Sequence, residues 1–570
     1  MIIDVRLESL DSTSEAKVVR ILKKTGEKVK PGDVLFELEA DKSSFSVESS
    51  AQGIISEILV EESQTVKACD LMAKIDGTPC GQATASDDNG GFNYFGNLLK
   101  PRKQEMECDI TIIGGGPGGY VAAIQAAKMG AKVILIEKDT LGGTCLNRGC
   151  IPTKSLVRSA EVYNNLKDAE NFGCHAEKIS VDIKKVVSRK DRIINQLVKG
   201  IDYILKKHNV KVIKGTGEIK DSQTVFVKEG VAEITIKTKN IIIATGSKSS
   251  SLPIPGKDLE CVMDSSDALQ MDELPEKMVI IGGGVIGMEF AFIFSGFGVD
   301  VTVVEFLDEV LAAFDSDIIE EISKIAKGKG IKIFTGSKVE QIIQGEDGQS
   351  IVVFSKDNEK KYISADKVLM AVGRQPSLDG LDVASLGLEL NDKGRGIKVN
   401  EKMQTNIPNI YAIGDVTNRV LLAHVASHQG IVAVKNIMGV PSEIDYNVIP
   451  SAIFTDPEIA MVGIGEKAAK KQGIDVEVGK FPFAASGKAL TMGESRGFVK
   501  IIKQKCTGKI LGGAIIGPHA TDLIAEIALA VKKGLTCEDV IETVHAHPTT
   551  AEAIHEAVLA AESGAIHFVN

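Results

Sequence analysis

Short runs of alternating apolar and polar residues fill the first 77 positions: VVRILKK, DVLFELE, FSVES, GIISEILVE and LMAKI. Their period of two and β-branched content predict strands rather than helices. The pattern also repeats itself. TGEKVKPGDVLFELE is echoed by ESQTVKACDLMAKID, with Val-Lys-x-x-Asp at Val29–Asp33 and again at Val66–Asp70. A duplicated half predicts a small sandwich with approximate two-fold symmetry. Between the halves, ELEADKSSFSV reads as two strands around a turn that pushes Lys42 into solvent beside Glu39 and Asp41. Periodicity then fades over 78–106, a Gly-, Asn-, Asp- and Ser-rich stretch that reads as a tether. As a random coil of that length it would span about 30 Å.

Beyond it, DITIIGGGPGGYVAAIQAAKMGAKVILIEKD is a buried strand, a glycine turn, a helix and a second strand ending in an acid. KMVIIGGGVIGMEFAFIFSGFGVDVTVVEF repeats that order. From about residue 448 the runs VIPSAIFTDPEIAMVG, GFVKIIKQ and KILGGAIIG predict strands of a mixed α+β unit, with helices near 520–534 and 549–562.

Composition narrows the possibilities. A chain of 570 residues with 44% apolar content has material for several cores. A net charge of −11 and a pI near 5.5 argue against nucleic acid or an anionic membrane as partner. Nine scattered cysteines do not make a secreted disulfide framework. The opening MIIDVRLESLDS lacks a signal-peptide pattern, and no apolar run reaches the ~18 residues of a membrane span. A reducing compartment, the cytoplasm, is expected.

Three constellations carry chemistry. Gly114, Gly116 and Gly119 fit G-x-G-x-x-G, as do Gly282, Gly284 and Gly287. In each the first glycine permits the tight turn, the second admits a phosphate to the backbone, and the third lets helix pack on sheet. The strands that follow end in Glu137 and Glu305, placed to accept from a ribose; a carboxylate at 305, with no arginine in the FLDEV that follows it, favours NAD over NADP. Second, GGTCLNRGCIPTK sets Cys145 and Cys150 close together after a glycine pair, where a helix N-terminus would lower a thiol pKa. A zinc half-site or two unpaired core cysteines would fit the local pattern, but no second ligand pair stands at similar spacing. Third, His547-Pro548 is followed by Glu552; Pro548 can start a helix, placing Glu552 about a turn on, where it would orient His547 as a thiol base. His424 and His428 stand at i, i+4, but no third ligand is evident and no metal is expected.

With two dinucleotide turns and a cysteine pair after the first, the chain from Cys108 to Asn570 resembles the FAD-dependent disulfide reductases. The resemblance extends to Ala244-Thr245-Gly246, to Ala371-Val372-Gly373-Arg374, to TNIPNIYAIGD ending at Asp415, and to LLAHVASHQG. The fold it implies is multidomain, with two Rossmann-like α/β dinucleotide-binding domains and a C-terminal α+β dimerisation domain after the all-β sandwich. The corresponding boundaries are 1–77 for the sandwich, 78–106 for the linker, 107–252 and 376–447 for the FAD-binding parts, 253–375 for the NAD unit and 448–570 for the dimerisation domain. FAD would be held by Gly114, Gly116, Gly119 and Glu137, with Lys154, Gly217, Thr245, Gly246, Asp415 and Ala423. NAD would be held by Gly282, Gly284, Gly287, Glu305, Val339 and Gly373. Cys145 and Cys150 would form the redox disulfide, with Lys154 and Glu289 as an ion pair beside the flavin and His547 with Glu552 as the acid–base pair. In this family two chains form a homodimer, and the histidine serves the other subunit's disulfide.

The first 77 residues resemble the lipoyl domain of 2-oxoacid dehydrogenase complexes, which carries lipoic acid on a lysine within Asp-Lys-Ala. Asp41-Lys42-Ser43 departs from that pattern at Ser43, and Ala16 and Ser63-Gln64 are further departures. Together the resemblances imply oxidation of protein-bound dihydrolipoyl groups with FAD and NAD. The implied partner is a lipoyl acyltransferase of a 2-oxoacid or acetoin dehydrogenase complex, with no nucleic acid and no membrane. A glutathione-type reductase would carry basic residues near Glu305, and a mercuric-ion reductase would end in a cysteine pair where this chain ends GAIHFVN. A non-catalytic lipoyl carrier is the reading from outside the enzymes, and intact Cys145, Cys150, His547 and Glu552 weigh against it.

Overall fold

A computed structural model describes residues 2–7, 15–30, 33–40, 43–49, 51–67, 70–79, 102–230, 232–345, 349–392 and 394–569. The chain divides into two units, Met1–Leu98 and Leu99–Asn570.

The first unit is a sandwich of two four-stranded sheets. In one, Ile2–Arg6, Leu71–Pro79, Ala51–Ile58 and Lys28–Val29 lie side by side; in the other, Ser43–Glu48, Val34–Ala40, Glu15–Ile21 and Thr65–Lys67. Val18, Leu38, Ile55, Met72 and Ile75 fill the space between them. The sequence echo is a structural one. Val29 and Val66 are both buried. In each copy the lysine amide donates to the aspartate carboxylate three residues on, Lys30 to Asp33 at 2.9 Å and Lys67 to Asp70 at 2.7 Å. Each copy's short strand is the last of its sheet, as a two-fold arrangement requires. Lys42 and Asp41 lie outside the described residues, between the strands Val34–Ala40 and Ser43–Glu48.

Of the expected tether, 78–106, only the two ends lie among the described residues. One strand runs to Pro79, and the next begins at Arg102. Residues 102–106, which showed no periodicity of their own, join the sheet because they pair in parallel with Ala232–Ile236, a long-range ladder that local pattern cannot reveal.

The second unit opens with a seven-stranded sheet. Its central strand Arg102–Ile113 lies in parallel between Val133–Glu137 and Ala232–Ile243, the last of which also pairs with Ile410–Ala412 from far along the chain. Between those segments is inserted a five-stranded parallel sheet, ordered Val262–Met263, Lys367–Met370, Lys277–Ile281, Asp300–Val304, Lys332–Phe334. The end of the first central strand, Ile110–Ile113, and Met278–Ile281 of the second are buried on both faces, as a sheet covered by helices demands. The two passages between sheets, Ser247–Ser249 and Arg374–Pro376, pair as an antiparallel ribbon.

The last part is a five-stranded antiparallel sheet, ordered Ser451–Ile453, Glu458–Gly463, Ile510–Gly517, Phe498–Gln504, Val476–Pro482. Helices Ala520–Lys533 and Glu552–Glu562 pack on it. The second comes so close that a Cβ on Gly479 would lie 2.1 Å from the Ala557 carbonyl, so only glycine fits there. That helix starts at Glu552 rather than at Pro548 as expected. The amide of Thr549 is drawn to the Glu552 carboxylate and its hydroxyl to Ala546 O, so residues 548–551 form a turn before the helix.

Candidate functional site: two glycine turns, a cysteine pair and an acid–base pair

A cavity of about 1850 Å³ runs through the second unit. Pockets for one small ligand occupy roughly 300–1,000 Å³, so this space suits two large ones. Its two ends are built alike. Helices Pro117–Lys128 and Val285–Gly296 begin directly after Gly116 and Gly284. Gly114 and Gly282 have φ of +110° and +108°, in the region that favours glycine. At Gly119 and Gly287 an added Cβ would strike the carbonyl of the first glycine of the turn, at 1.8 and 1.9 Å. At Gly116 it would meet only Gly143, 3.9 Å away, and at Gly284 nothing within 4 Å. Backbone and helix N-terminus are thus open to the cavity at the middle glycine, which fits a pyrophosphate at each end.

The acids repeat as well. Glu137 accepts from Gly115 N at 2.6 Å and Asp139 N at 2.7 Å. Glu305 accepts from Gly283 N at 2.5 Å and Leu307 N at 2.7 Å. Each carboxylate is therefore clasped to its own glycine turn, with a lone pair left on each oxygen for ribose hydroxyls.

The cysteines lie on the cavity wall between these ends. Gly142 and Gly143 both have positive φ, and the short helix Gly143–Arg148 that follows carries Cys145. Cys150 is the first residue of helix Cys150–Lys167. The side chain of Asn147 ties this loop by donating to Leu141 O and Gly143 O at 3.0 and 2.9 Å. The two thiols are free and interact. Cys145 donates to Cys150, which raises the Cys145 thiol, and burial adds to that. The same hydrogen bond holds Cys150 below the ordinary thiol range, against burial and with help from the Lys154 charge.

Lys154, one turn further along that helix, donates to both Glu289 oxygens at 2.9 Å. Glu289 stands on helix Val285–Gly296. The two helices meet where Gly296 leaves room for Ala160 and Asn164. The side chain of Glu289 is 6% exposed and that of Lys154 28%, so the pair is partly buried as expected. Phe454 completes it, its amide donating to Glu289 at 3.0 Å and its ring lying 4.3 Å from the lysine nitrogen.

On the same wall Asp415 follows the left-handed Gly414. Burial raises its carboxyl pKa, opposed by a hydrogen bond from Ser247 and by Arg374. Arg374 donates to Ser247 Oγ and O, both at 2.8 Å. Ser247 and Arg374 come from the two strands of the ribbon. Arg374 stands in a segment that the sequence marked, but neither Ser247 nor Phe454 could be singled out there, since each reaches the site through long-range pairing.

Glu137, Lys154, Gly217, Thr245, Gly246, Asp415 and Ala423 line the cavity, and so do Glu289, Glu305, Val339 and Gly373. Gly119 and Gly287 sit beneath their turns. His424 is also on the wall, with Nε2 3.0 Å from Pro450 O, while His428 is not. Among the described residues no group of three His, Cys, Asp or Glu could hold a metal ion.

His547 and Glu552 find each other, Nδ1 to Oε1 at 2.9 Å. Burial acts against the Glu552 charge, yet the Thr549 amide and His547 hold that carboxyl below its usual value. Within one chain the pair is absent from the cavity wall, and the imidazole is 81% exposed.

Comparison with known proteins agrees with this construction. The family model of pyridine nucleotide-disulphide oxidoreductases matches residues 108–430, and the dimerisation domain of the same family matches 449–558. The chain belongs to that family, and it is an FAD- and NAD-dependent oxidoreductase. Among its relatives, a dihydrolipoyl dehydrogenase of Bacillus subtilis is 44% identical over 474 residues, 81% of this chain and 99% of the relative. That of Geobacillus stearothermophilus is 42% identical over 464 residues, 81% and 98% of the two chains. A biotin/lipoyl model, described as that of biotin-requiring enzymes, matches residues 9–75. Of solved structures, LpdA from Mycobacterium tuberculosis superposes with a TM-score of 0.74 at 27% identity, covering 80% of this chain and 99% of that one. The HOCl-induced flavoprotein disulfide reductase RclA from Escherichia coli gives 0.71 at 29%, covering 79% and 99%. No described helix is long and apolar enough to cross a membrane.

Proposed function

We propose that the protein oxidises dihydrolipoyl groups to lipoyl groups with NAD as final acceptor, using Cys145 and Cys150 as a disulfide that opens and closes. The observation that carries this reading is the position of Cys145 and Cys150 on the wall of one cavity that both glycine turns line, beside the Lys154–Glu289 pair. A substrate thiol loses its proton to His547 and attacks Cys145 in the disulfide; Cys150 leaves as a thiolate, the form its surroundings favour. The second substrate thiol then attacks the mixed disulfide, closing the lipoyl ring and releasing Cys145, whose surroundings favour the protonated form. Two electrons have moved from substrate dithiol to enzyme dithiol. FAD, when bound, supplies the route by which that pair of electrons passes to NAD. Lys154 offsets negative charge beside Cys150, and Glu289 holds Lys154 in place. Glu552 orients His547 and supports the imidazolium.

Two chains form a homodimer, and His547 serves the partner's cysteine pair; the exposure of the imidazole and its absence from its own chain's cavity wall support this. The N-terminal sandwich carries lipoic acid on Lys42 as a delivery arm. The partner is a lipoyl acyltransferase of a 2-oxoacid or acetoin dehydrogenase complex, and the site of action is the cytoplasm.

Anaerobic dihydrolipoamide should reduce the flavin of the purified protein, and NAD should then reoxidise it. A flavin absorbance unmoved by dithiol would sink the reading. For the arm, intact-mass measurement should find one lipoyl increment on the native chain and none on Lys42→Arg. An increment that survives the substitution would place the modification elsewhere.

A further inference from the structure

Asp415 is read above as facing the flavin, and the following inference rests on that reading. The turn that presents it, Gly414–Thr417, starts with the backbone N–H of the buried Gly414. That N–H has one partner, the side-chain oxygen of Gln429, at 2.6 Å. Gln429 is 0% exposed. Its other end is spoken for as well, since Nε2 donates to the Tyr446 hydroxyl at 2.8 Å. The Arg419 guanidinium lies 3.7 Å from the centre of the Tyr446 ring, on its face. Reversing the amide would set N–H against N–H at Gly414, and the Tyr446 hydroxyl, which donates to Met403 Sδ at 3.8 Å, favours the same orientation by accepting from Nε2.

Gln429 is itself immobile. It lies on helix Ala423–Ile437, which begins at the cavity wall. Its neighbour Gly430 is pressed so closely on helix Pro117–Lys128 that a Cβ would lie 2.7 Å from Gly118 O. One fully buried amide therefore joins the turn bearing Asp415 to Tyr446, from a helix that is itself held against the first glycine-turn helix.

We propose that Gln429, oriented by Tyr446, is a positioning residue that sets the Gly414–Asp415 turn for the flavin. A buried N–H left without an acceptor is costly. The turn would relieve that cost by rotating, and Asp415 would move with it.

The test is FAD titration of the deflavinated full-length protein, followed by quenching of flavin fluorescence. Gln429→Met keeps the shape and loses both hydrogen bonds; FAD should bind about tenfold more weakly, the order expected for one unmade buried hydrogen bond. Gln429→Glu keeps an acceptor for Gly414 N, with the Tyr446 hydroxyl turning to donate, and should bind FAD more tightly than Gln429→Met. Tyr446→Phe removes only the orienting hydroxyl and should weaken binding by a smaller factor, which keeps the question open to test even if Gln429→Met fails to fold. Native affinity in Gln429→Met, or no recovery in Gln429→Glu, overturns the inference. Asp415→Asn serves as reference. If it leaves FAD affinity unchanged, the reading of Asp415 itself fails; if it weakens binding while Gln429→Met does not, only the role of Gln429 fails.

Discussion

Cys145→Ser should abolish turnover of dihydrolipoamide while leaving FAD bound. The serine hydroxyl cannot form the mixed disulfide, so the first bond of the exchange never forms. No nearby group substitutes: Cys150 sits at the start of its own helix, and the other described cysteines lie off the cavity wall. Flavin should be retained because neither glycine turn, nor Glu137, nor Asp415 depends on the Cys145 sulfur. Steady-state lipoamide turnover together with the flavin-to-protein absorbance ratio gives the answer. Appreciable turnover in the variant would show that electrons enter by a route other than the cysteine pair.

His547→Gln should lower kcat/KM by about 10²–10⁴, the range for a lost general base. The amide cannot take the thiol proton, although it can still reach Glu552. The more decisive measurement combines the two variants. If His547 serves the partner's cysteines, each Cys145→Ser/His547→Gln mixed dimer holds one site with both native parts and one with neither. Random co-assembly should then recover about a quarter of native activity from two chains that are separately inactive. If the histidine acts within its own chain, mixing recovers nothing.

Much of this site could be read before any coordinates, and the reason is physical. A phosphate turn must be built from consecutive residues, so Gly114, Gly116 and Gly119 declare themselves by spacing, and so do Cys145 and Cys150. His547 and Glu552 were legible for the same reason, five positions apart on one turn. What spacing could not reveal is whatever crosses the fold. Ser247 meets Arg374 only because two distant strands form a ribbon. Phe454 reaches Glu289 only once the end of strand Ser451–Ile453 stands against helix Val285–Gly296. Residues 102–106 looked like tether because their partners lie some 130 positions downstream. The onset of the final helix was misplaced because the competition between a proline start and the Thr549–Glu552 bond is decided by a side chain, not by periodicity.

The clasp between Glu305 and its turn bears on any attempt to retune coenzyme choice. Replacing that glutamate to admit a 2′-phosphate removes a repulsive charge, but it also strips the acceptor from two main-chain donors, at Gly283 and Leu307. A basic substitute supplies none. Redesign at this position has to restore an oxygen for those amides before it adds a cation, or the glycine turn will loosen together with the preference it was meant to change.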